Sequence, residues 1–214
     1  FVFVVIIGLN AHSFAQTAVT IPIETEKDVL LLQTDKDNWL GIIYFGKRLN
    51  NTSEYASVPN QYNLKDDNAG IYNSAYTSAG TWDLVEPAIQ VTHGDGNTSL
   101  ELKYVSSEVK KIDANINLVS ISLKDPVYPT EVTLYYKTYF KENVVEQWSV
   151  IKNGEKKPLK LEKYASANLY FMGSNYYLTH YNGGWGREMN PEEEQLTHGI
   201  KSIDSKLGTR ANLF

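Results

Sequence analysis

The chain has 214 residues, 42% of them hydrophobic, with a formal net charge of −5 and no cysteine. That length holds one large β-domain or two small ones, with enough apolar side chain for a sizeable core. The acidic balance argues against a nucleic-acid partner, which needs a basic stripe. The missing cysteine excludes disulfides, thiol chemistry and Cys-type metal centres.

The first nine residues read FVFVVIIGL, an unbroken apolar run, and small residues at Ser13 and Ala15 precede Gln16. This is the apolar stretch and cleavage site of a secretory leader over residues 1–15, too short to span a bilayer. A buried first strand is the alternative. No Met and no basic stretch precede the run, so the leader reads as truncated. The expectation is an exported protein, periplasmic or at the cell surface, with no other membrane segment.

Residues 50–80 are rich in Asn, Ser, Tyr and Asp with little alternation, and read as long loops, where binding tends to reside. Gly80-Thr81-Trp82-Asp83 follows. An aromatic ring beside a carboxylate suits a sugar, through stacking and hydroxyl contacts, so Trp82 and Asp83 are the candidate substrate contacts. His93-Gly94-Asp95-Gly96-Asn97 is a turn between strand-like runs at 88–92 and 98–105, with Leu100, Leu102 and Tyr104 on one face. Residues 106–113 show no convincing apolar stripe. The run at 115–124 changes face at Leu118-Val119, which predicts a bulge or a strand bend. Asp125-Pro126 and Pro129 interrupt the chain before the clearest strand, 131–141, where Val132, Leu134, Tyr136, Thr138 and Phe140 oppose Glu131, Thr133, Lys137 and Lys141. Asn153-Gly154 predicts a tight hairpin between 144–151 and 159–165. Near the end, Tyr181-Asn182-Gly183-Gly184-Trp185-Gly186-Arg187-Glu188 is the most unusual stretch. It reads as structural: Trp185 fills the core where sheets close, Arg187 satisfies buried carbonyls, and Glu188 is its charge partner; stacking of Trp185 on a sugar is the alternative. Pro191-Glu192-Glu193-Glu194 predicts a short helical turn with Pro at its first position. Strands at regular spacing without intervening helices predict an all-β fold of two packed antiparallel sheets.

Chemistry is sparse. The four histidines, His12, His93, His180 and His198, lack metal-ligand spacing, and no G-x-S-x-G nucleophile motif occurs. A glycosidase needs two carboxylates about 5 Å or about 9 Å apart. Asp83, Glu86, Asp95, Glu146 and Glu188 are available, and the simplest reading makes them surface charges or ion pairs. No catalytic residue, metal or cofactor is expected in this chain.

Several ordered blocks carry a family resemblance: Glu86-Pro87-Ala88-Ile89-Gln90-Val91, Asp95-Gly96-Asn97, Leu100-Glu101-Leu102-Lys103-Tyr104, Glu131-Val132-Thr133-Leu134-Tyr135-Tyr136, Val144-Val145-Glu146-Gln147-Trp148, Tyr177-Leu178-Thr179, Gly184-Trp185, Arg187-Glu188, Gly199-Ile200-Lys201-Ser202-Ile203 and Ser205-Lys206-Leu207-Gly208-Thr209-Arg210. Together they resemble the N-terminal domain of glycoside hydrolase family 36 α-galactosidases. The resemblance implies a galactose-mutarotase-like, two-sheet antiparallel β-supersandwich over residues 16–214. It would precede a (β/α)8 barrel that carries both catalytic Asp residues and is absent here. It further implies a retaining hydrolase of terminal α-galactosyl bonds, acting on galactoside oligo- or polysaccharides, in a homo-oligomer, without cofactor. Family loops at the position of residues 80–87 reach a sugar pocket, often with an Arg that this chain lacks; Trp82 and Asp83 stand there instead. A free-standing periplasmic carbohydrate-binding or structural module is the alternative function. A sibling specificity, α-N-acetylgalactosaminidase, would be decided on the barrel.

Overall fold

The computed structural model describes residues 18–60, 73–81, 84–171, 173–184 and 186–204. The leader expected at residues 1–15 lies outside them. The chain forms two compact units, Phe1–Phe171 and Met172–Phe214. Among the described residues no helix is long and apolar enough to cross a membrane.

Among the described residues, three antiparallel sheets build the first unit. A three-stranded meander joins β1 (Thr20–Glu24), β2 (Asp28–Thr34) and β3 (Leu40–Lys47). A four-stranded meander joins β5 (Lys103–Lys111), β6 (Ile116–Lys124), β7 (Thr130–Tyr139) and β8 (Val144–Asn153). Between them in sequence lies β4 (Ile89–Thr92), which pairs with β9 (Lys160–Tyr164).

β7 shows why the sheets pack. Its side chains alternate as the sequence predicts: Val132, Leu134 and Tyr136 are fully buried, while Glu131, Thr133 and Lys137 lie on the outer face. Directly opposite on β6 stand Leu123, Ile121 and Val119, also buried. These cross-strand pairs present one continuous apolar face. It meets Ile21 and Ile23 of β1, Leu30 and Leu32 of β2, and Leu40 and Ile42 of β3 in a single core. The result is the expected all-β antiparallel sandwich. On the outer face, Tyr135 stacks on Trp148 across the β7–β8 pair, with ring centroids 5.1 Å apart. Glu131 sits between Lys124 (3.4 Å) and Lys152 (3.3 Å), its immediate cross-strand neighbours. Those lysines hold its carboxyl below the usual range, Lys152 contributing most.

β2 reads Val29-Leu30-Leu31-Leu32 without alternation because both its faces are covered. Val29 and Leu31 face a second cluster with Ile43 and Tyr55. Tyr55 comes from a 3-10 turn, Thr52–Ser57, capped by the Asn51 side chain accepting from Ser53 N. Its hydroxyl donates to Glu24 Oε1 at 2.6 Å, and Arg48 Nε donates to the same oxygen at 3.1 Å. Burial first, and then the Glu24 carboxylate, push the Tyr55 hydroxyl up to about 12.

Four local expectations give way to longer-range contacts. Asn153-Gly154 does not turn a hairpin, because β8 pairs with β7 and β9 pairs with β4. The glycine serves a close approach instead: Gly154 N donates to Pro129 O at 2.8 Å, and a Cβ at Gly154 would lie 2.7 Å from that oxygen. No bulge interrupts β6 at Leu118-Val119, where pairing with β7 runs unbroken from Ile116↔Tyr139 to Lys124↔Glu131. Ile116 and Leu118 are simply half-buried on the outer face, and the irregularity lies in β5, between Tyr104 and Ser106. Pro191 to Glu194 form no helical turn. They lie in β11 (Arg187–Gln195), which pairs with β10 (Tyr177–Gly184) as a two-stranded ribbon in the second unit. Each strand of such a ribbon has one open side, where proline's missing N–H is tolerated. Lastly, within the loop-like stretch at 50–80, residues 73–78 are buried rather than looped out. Asn73 and Ala75 run alongside β3, with Ile42 N donating to Asn73 O at 2.7 Å and Ala75 N to Leu40 O at 2.9 Å. Leu100 and Leu102 face the core as expected, although regular pairing begins only at Lys103.

Leu134→Ala is expected to cost about 2–5 kcal/mol of unfolding free energy by leaving a cavity at the middle of this core. Ser122→Ala, on the outer face of the same sheet, should change it by less than about 0.5 kcal/mol. Urea titrations of the two variants check the contrast.

Candidate functional site

The loop carrying Trp82 and Asp83 leaves the sandwich and returns at fixed points. Thr77 O accepts from Ala88 N at 2.8 Å and from Ile89 N at 3.1 Å, and Ala79 N donates to Ile89 O at 2.9 Å. Residues 77–79 and 88–89 are therefore two adjacent stems. The outgoing stem is clamped on residues 98–100. Leu100 N donates to Ala79 O at 3.2 Å, and Gly80 has a φ of +79°. A Cβ on Gly80 would lie 2.6 Å from both Ser99 Cα and Thr98 O, so glycine is demanded by conformation and by space. The returning stem is tied to β9: Glu86 pairs with Lys163, and Ala165 N donates to Ala88 O at 2.7 Å. Leu84, on the loop between them, is 76% exposed. Trp82 and Asp83 themselves lie outside the described residues.

Beside the outgoing stem sits a buried polar network centred on His93. The turn after β4 closes through His93 N donating to Asn97 O (2.8 Å) and Gly96 N donating to His93 O (2.8 Å). Gly96 supplies a left-handed φ of +92°. The Asp95 side chain then accepts from Asn97 N, and the Asn97 side chain from Ser99 N. Within this frame the His93 side chain is fully buried. Its Nδ1 lies 2.7 Å from Glu155 Oε1 and its Nε2 lies 2.9 Å from Ser99 O. The ring stacks on Tyr128, with centroids 3.6 Å apart and planes 10° from parallel. A carbonyl only accepts, so Nε2–H donates to Ser99. Nδ1 and the Glu155 carboxyl are joined by a second hydrogen bond.

The rest of the network completes that pair. Glu155 Oε2 accepts from Gly94 N at 3.2 Å, and Oε1 from Thr130 Oγ1 at 3.3 Å. His93 is the main cause of a Glu155 carboxyl held below the usual range, and the Gly94 N–H adds to it. Tyr128 OH donates to Asp95 Oδ2 at 2.9 Å. The Asn97 N–H and then the Tyr128 hydroxyl lower Asp95, while the Asp95 carboxylate raises Tyr128. Asp125, buried at the β6–β7 turn, accepts from the backbone N–H groups of Glu101, Val127 and Tyr128, each at 2.7 Å. Sequence reading saw His93 only as a turn residue, because its partner Glu155 is 62 positions away.

The remaining candidates are dispersed. Glu86 is an exposed partner of Lys163, Asp95 is bonded to Tyr128, and Glu146 accepts from Tyr139 OH at 3.3 Å on the outer face of β8. Glu188 is exposed on β11. The glycine-rich stretch forms the end of the β10–β11 ribbon: Gly184 pairs with Arg187, and Gly186 has a φ of +72°. Trp185 lies outside the described residues. His180 Nε2 faces Glu192 at 3.3 Å across the ribbon, and His198 is exposed. Among the described residues no group of three or more His, Asp or Glu could hold a metal ion. The arrangement is that of a loop mount, with its carboxylates engaged by cations, hydroxyls and backbone amides.

Comparison with known proteins gives a consistent picture. The family model for the glycosyl hydrolase family 36 N-terminal domain matches residues 38–213. Alpha-galactosidase AgaA of Geobacillus stearothermophilus is 28% identical over 64% of this chain and 21% of its own length. Alpha-galactosidase Mel36A of Lactobacillus acidophilus is 25% identical over 85% of this chain and 28% of its own. The crystal structure of the alpha-galactosidase from Lactobacillus brevis superposes with a TM-score of 0.75 at 23% identity, covering 90% of this chain and 29% of that one. AgaA in complex with raffinose superposes with a TM-score of 0.77 at 23% identity, covering 88% and 29%. The chain thus spans between about a fifth and three tenths of the length of these relatives.

Two outcomes follow from the geometry. Gly80→Ala should lower stability by about 2 kcal/mol or more, since it meets both a left-handed backbone and a filled space. Gly96→Ala, left-handed but with open space around it, should cost only about 1 kcal/mol; thermal unfolding of both variants checks the ranking. For Glu155, a depressed folded value means stability that is complete above its unfolded value of about 4.3 and is lost as pH falls through the lower folded value. Glu155→Gln should therefore lower stability by about 1–3 kcal/mol at pH 7. Its deficit against the parent should shrink below about pH 4, as urea midpoints between pH 2.5 and 7 would read.

Proposed function

The chain belongs to the glycosyl hydrolase family 36 N-terminal domain family, and from that premise we propose that it is the non-catalytic N-terminal domain of a longer, exported α-galactosidase. The observation that carries the proposal is the family match across residues 38–213. The local chemistry agrees with it, since Glu86, Asp95 and Glu146 are each engaged by a cation or a hydroxyl.

In this reading the sandwich supports a (β/α)8 barrel downstream that supplies both catalytic carboxylates and hydrolyses terminal α-galactosyl bonds with retention. The loop at residues 80–87 reaches the sugar site, where Trp82 stacks on a ring face and Asp83 accepts from its hydroxyls. Residues 1–15 direct export, and the enzyme works as a homo-oligomer on galactoside oligo- or polysaccharides. Structures of AgaA hold raffinose and stachyose, and substrates of that kind are the first to try.

The test compares residues 16–214 with the full-length gene product on an aryl α-galactoside. The full-length protein is expected to turn over and the domain alone is not; robust turnover by the domain alone would overturn the non-catalytic assignment. In the full-length enzyme, Trp82→Ala should raise KM about tenfold with a smaller effect on kcat. An unchanged KM would remove the loop from the sugar site.

A further inference from the structure

We propose that the buried His93–Glu155 pair is a positioning device for the loop at residues 80–87; the proposal rests on the reading that this loop serves the sugar site. Neither residue touches the reacting sugar. They act through the stems.

The pair reaches the outgoing stem in two steps. His93 Nε2–H fixes the Ser99 carbonyl at 2.9 Å. Ser99 is in turn the surface on which Gly80 rests, with no room even for a methyl group between them. Any shift of Ser99 toward or away from His93 therefore moves Gly80, and Trp82 stands two residues beyond. The pair also reaches the returning stem. His93 directly follows β4, which begins at the returning residue Ile89, and Glu155 directly precedes the segment that leads into β9. β9 and the residue after it hold that stem through Lys163–Glu86 and Ala165 N–Ala88 O. One buried pair thus sets the spacing of the two stems from which the loop springs.

Burial explains why the device is polar. A His side chain with no exposed surface and a Glu side chain with 9% exposed are costly to desolvate. Apolar residues of similar volume would hold the sheets together as well. They would leave Ser99 O, Gly94 N and Thr130 Oγ1 without these partners, and they would give no direction to the Ser99 carbonyl. What the pair adds is directional: two hydrogen bonds from a ring wedged flat against Tyr128, running to partners on opposite sides.

The experiment uses the full-length enzyme with Glu155→Gln and His93→Gln. Amide exchange read by mass spectrometry reports the peptide covering residues 79–88 against peptides covering β6 and β7. Steady-state kinetics on an aryl α-galactoside report KM and kcat. Exchange over 79–88 is expected to rise about tenfold more than that of β6 and β7, whose own increase follows the global loss of stability. KM should rise about fivefold or more, with kcat within about twofold of the parent. Unchanged exchange over 79–88 in a folded variant would overturn the proposal, as would exchange that rises equally everywhere or a KM that stays at the parent value while the loop loosens. If His93→Gln does not fold, the isosteric Glu155→Gln carries the test. If neither folds, the pair is a folding element and the proposal falls. A parent enzyme inactive on α-galactosides would sink the functional reading on its own, and the exchange data would still decide whether the pair positions the loop.

Discussion

Val132, Leu134 and Tyr136 on β7 and Val119, Ile121 and Leu123 on β6 present almost no surface to water. That shared face is the constraint from which the first unit follows. Side chains on a strand alternate with a period of two, so a slip of one residue in β7 would turn its three core residues outward and bring Thr133, Tyr135 and Lys137 inward. Register is thereby fixed along nine consecutive pairs. Fixed register delivers the outer-face features too: Glu131 between two lysines and Tyr135 upon Trp148 arise because those residues are direct cross-strand neighbours. It also fixes the β6–β7 turn, where Asp125, Tyr128 and Thr130 meet the His93 network.

This hierarchy explains which parts of the molecule are legible in the sequence. Alternation in β7 reports burial directly, since each residue's face depends only on its own strand. The β2 run shows no alternation to read, and the reason for its uniform apolarity lies in Tyr55, more than twenty residues away. Asn153-Gly154 and Pro191 mislead for a common reason. Both carry strong local preferences, and both are used for something non-local: room beside Pro129 O in one case, the open side of a two-stranded ribbon in the other. Leu118-Val119 misleads because two apolar neighbours on opposite faces look like a change of face when one face is only half-buried.

The candidate site divides the same way. Gly80 and the HGDGN turn are visible as glycines in a loop-rich region, and the turn forms as read. That Gly80 must rest on Ser99, and that His93 must find Glu155, are facts of tertiary packing over 19 and 62 positions. No spacing rule reaches them. The carboxylates that a search for a glycosidase dyad would select have ordinary neighbours: a lysine for Glu86, a tyrosine hydroxyl each for Asp95 and Glu146.

The mechanical logic of the loop follows from how it is mounted. Leu84 shows that the loop carries exposed side chains. Exposed backbone contributes little to its own rigidity, so precision has to come from the stems. Here each stem is held by a different means. The outgoing one is held by steric exclusion at Gly80 and a hydrogen bond to Leu100, both insensitive to salt. The returning one is held by backbone bonds to β9 and Thr77, together with the exposed Glu86–Lys163 pair, a contact that salt screens readily. Between them the His93–Glu155 pair is shielded from solvent, so its attraction is screened far less than that of the surface pair. The loop's position is therefore governed mainly by buried, directional contacts, and its exposed ion pair is the weakest of its moorings.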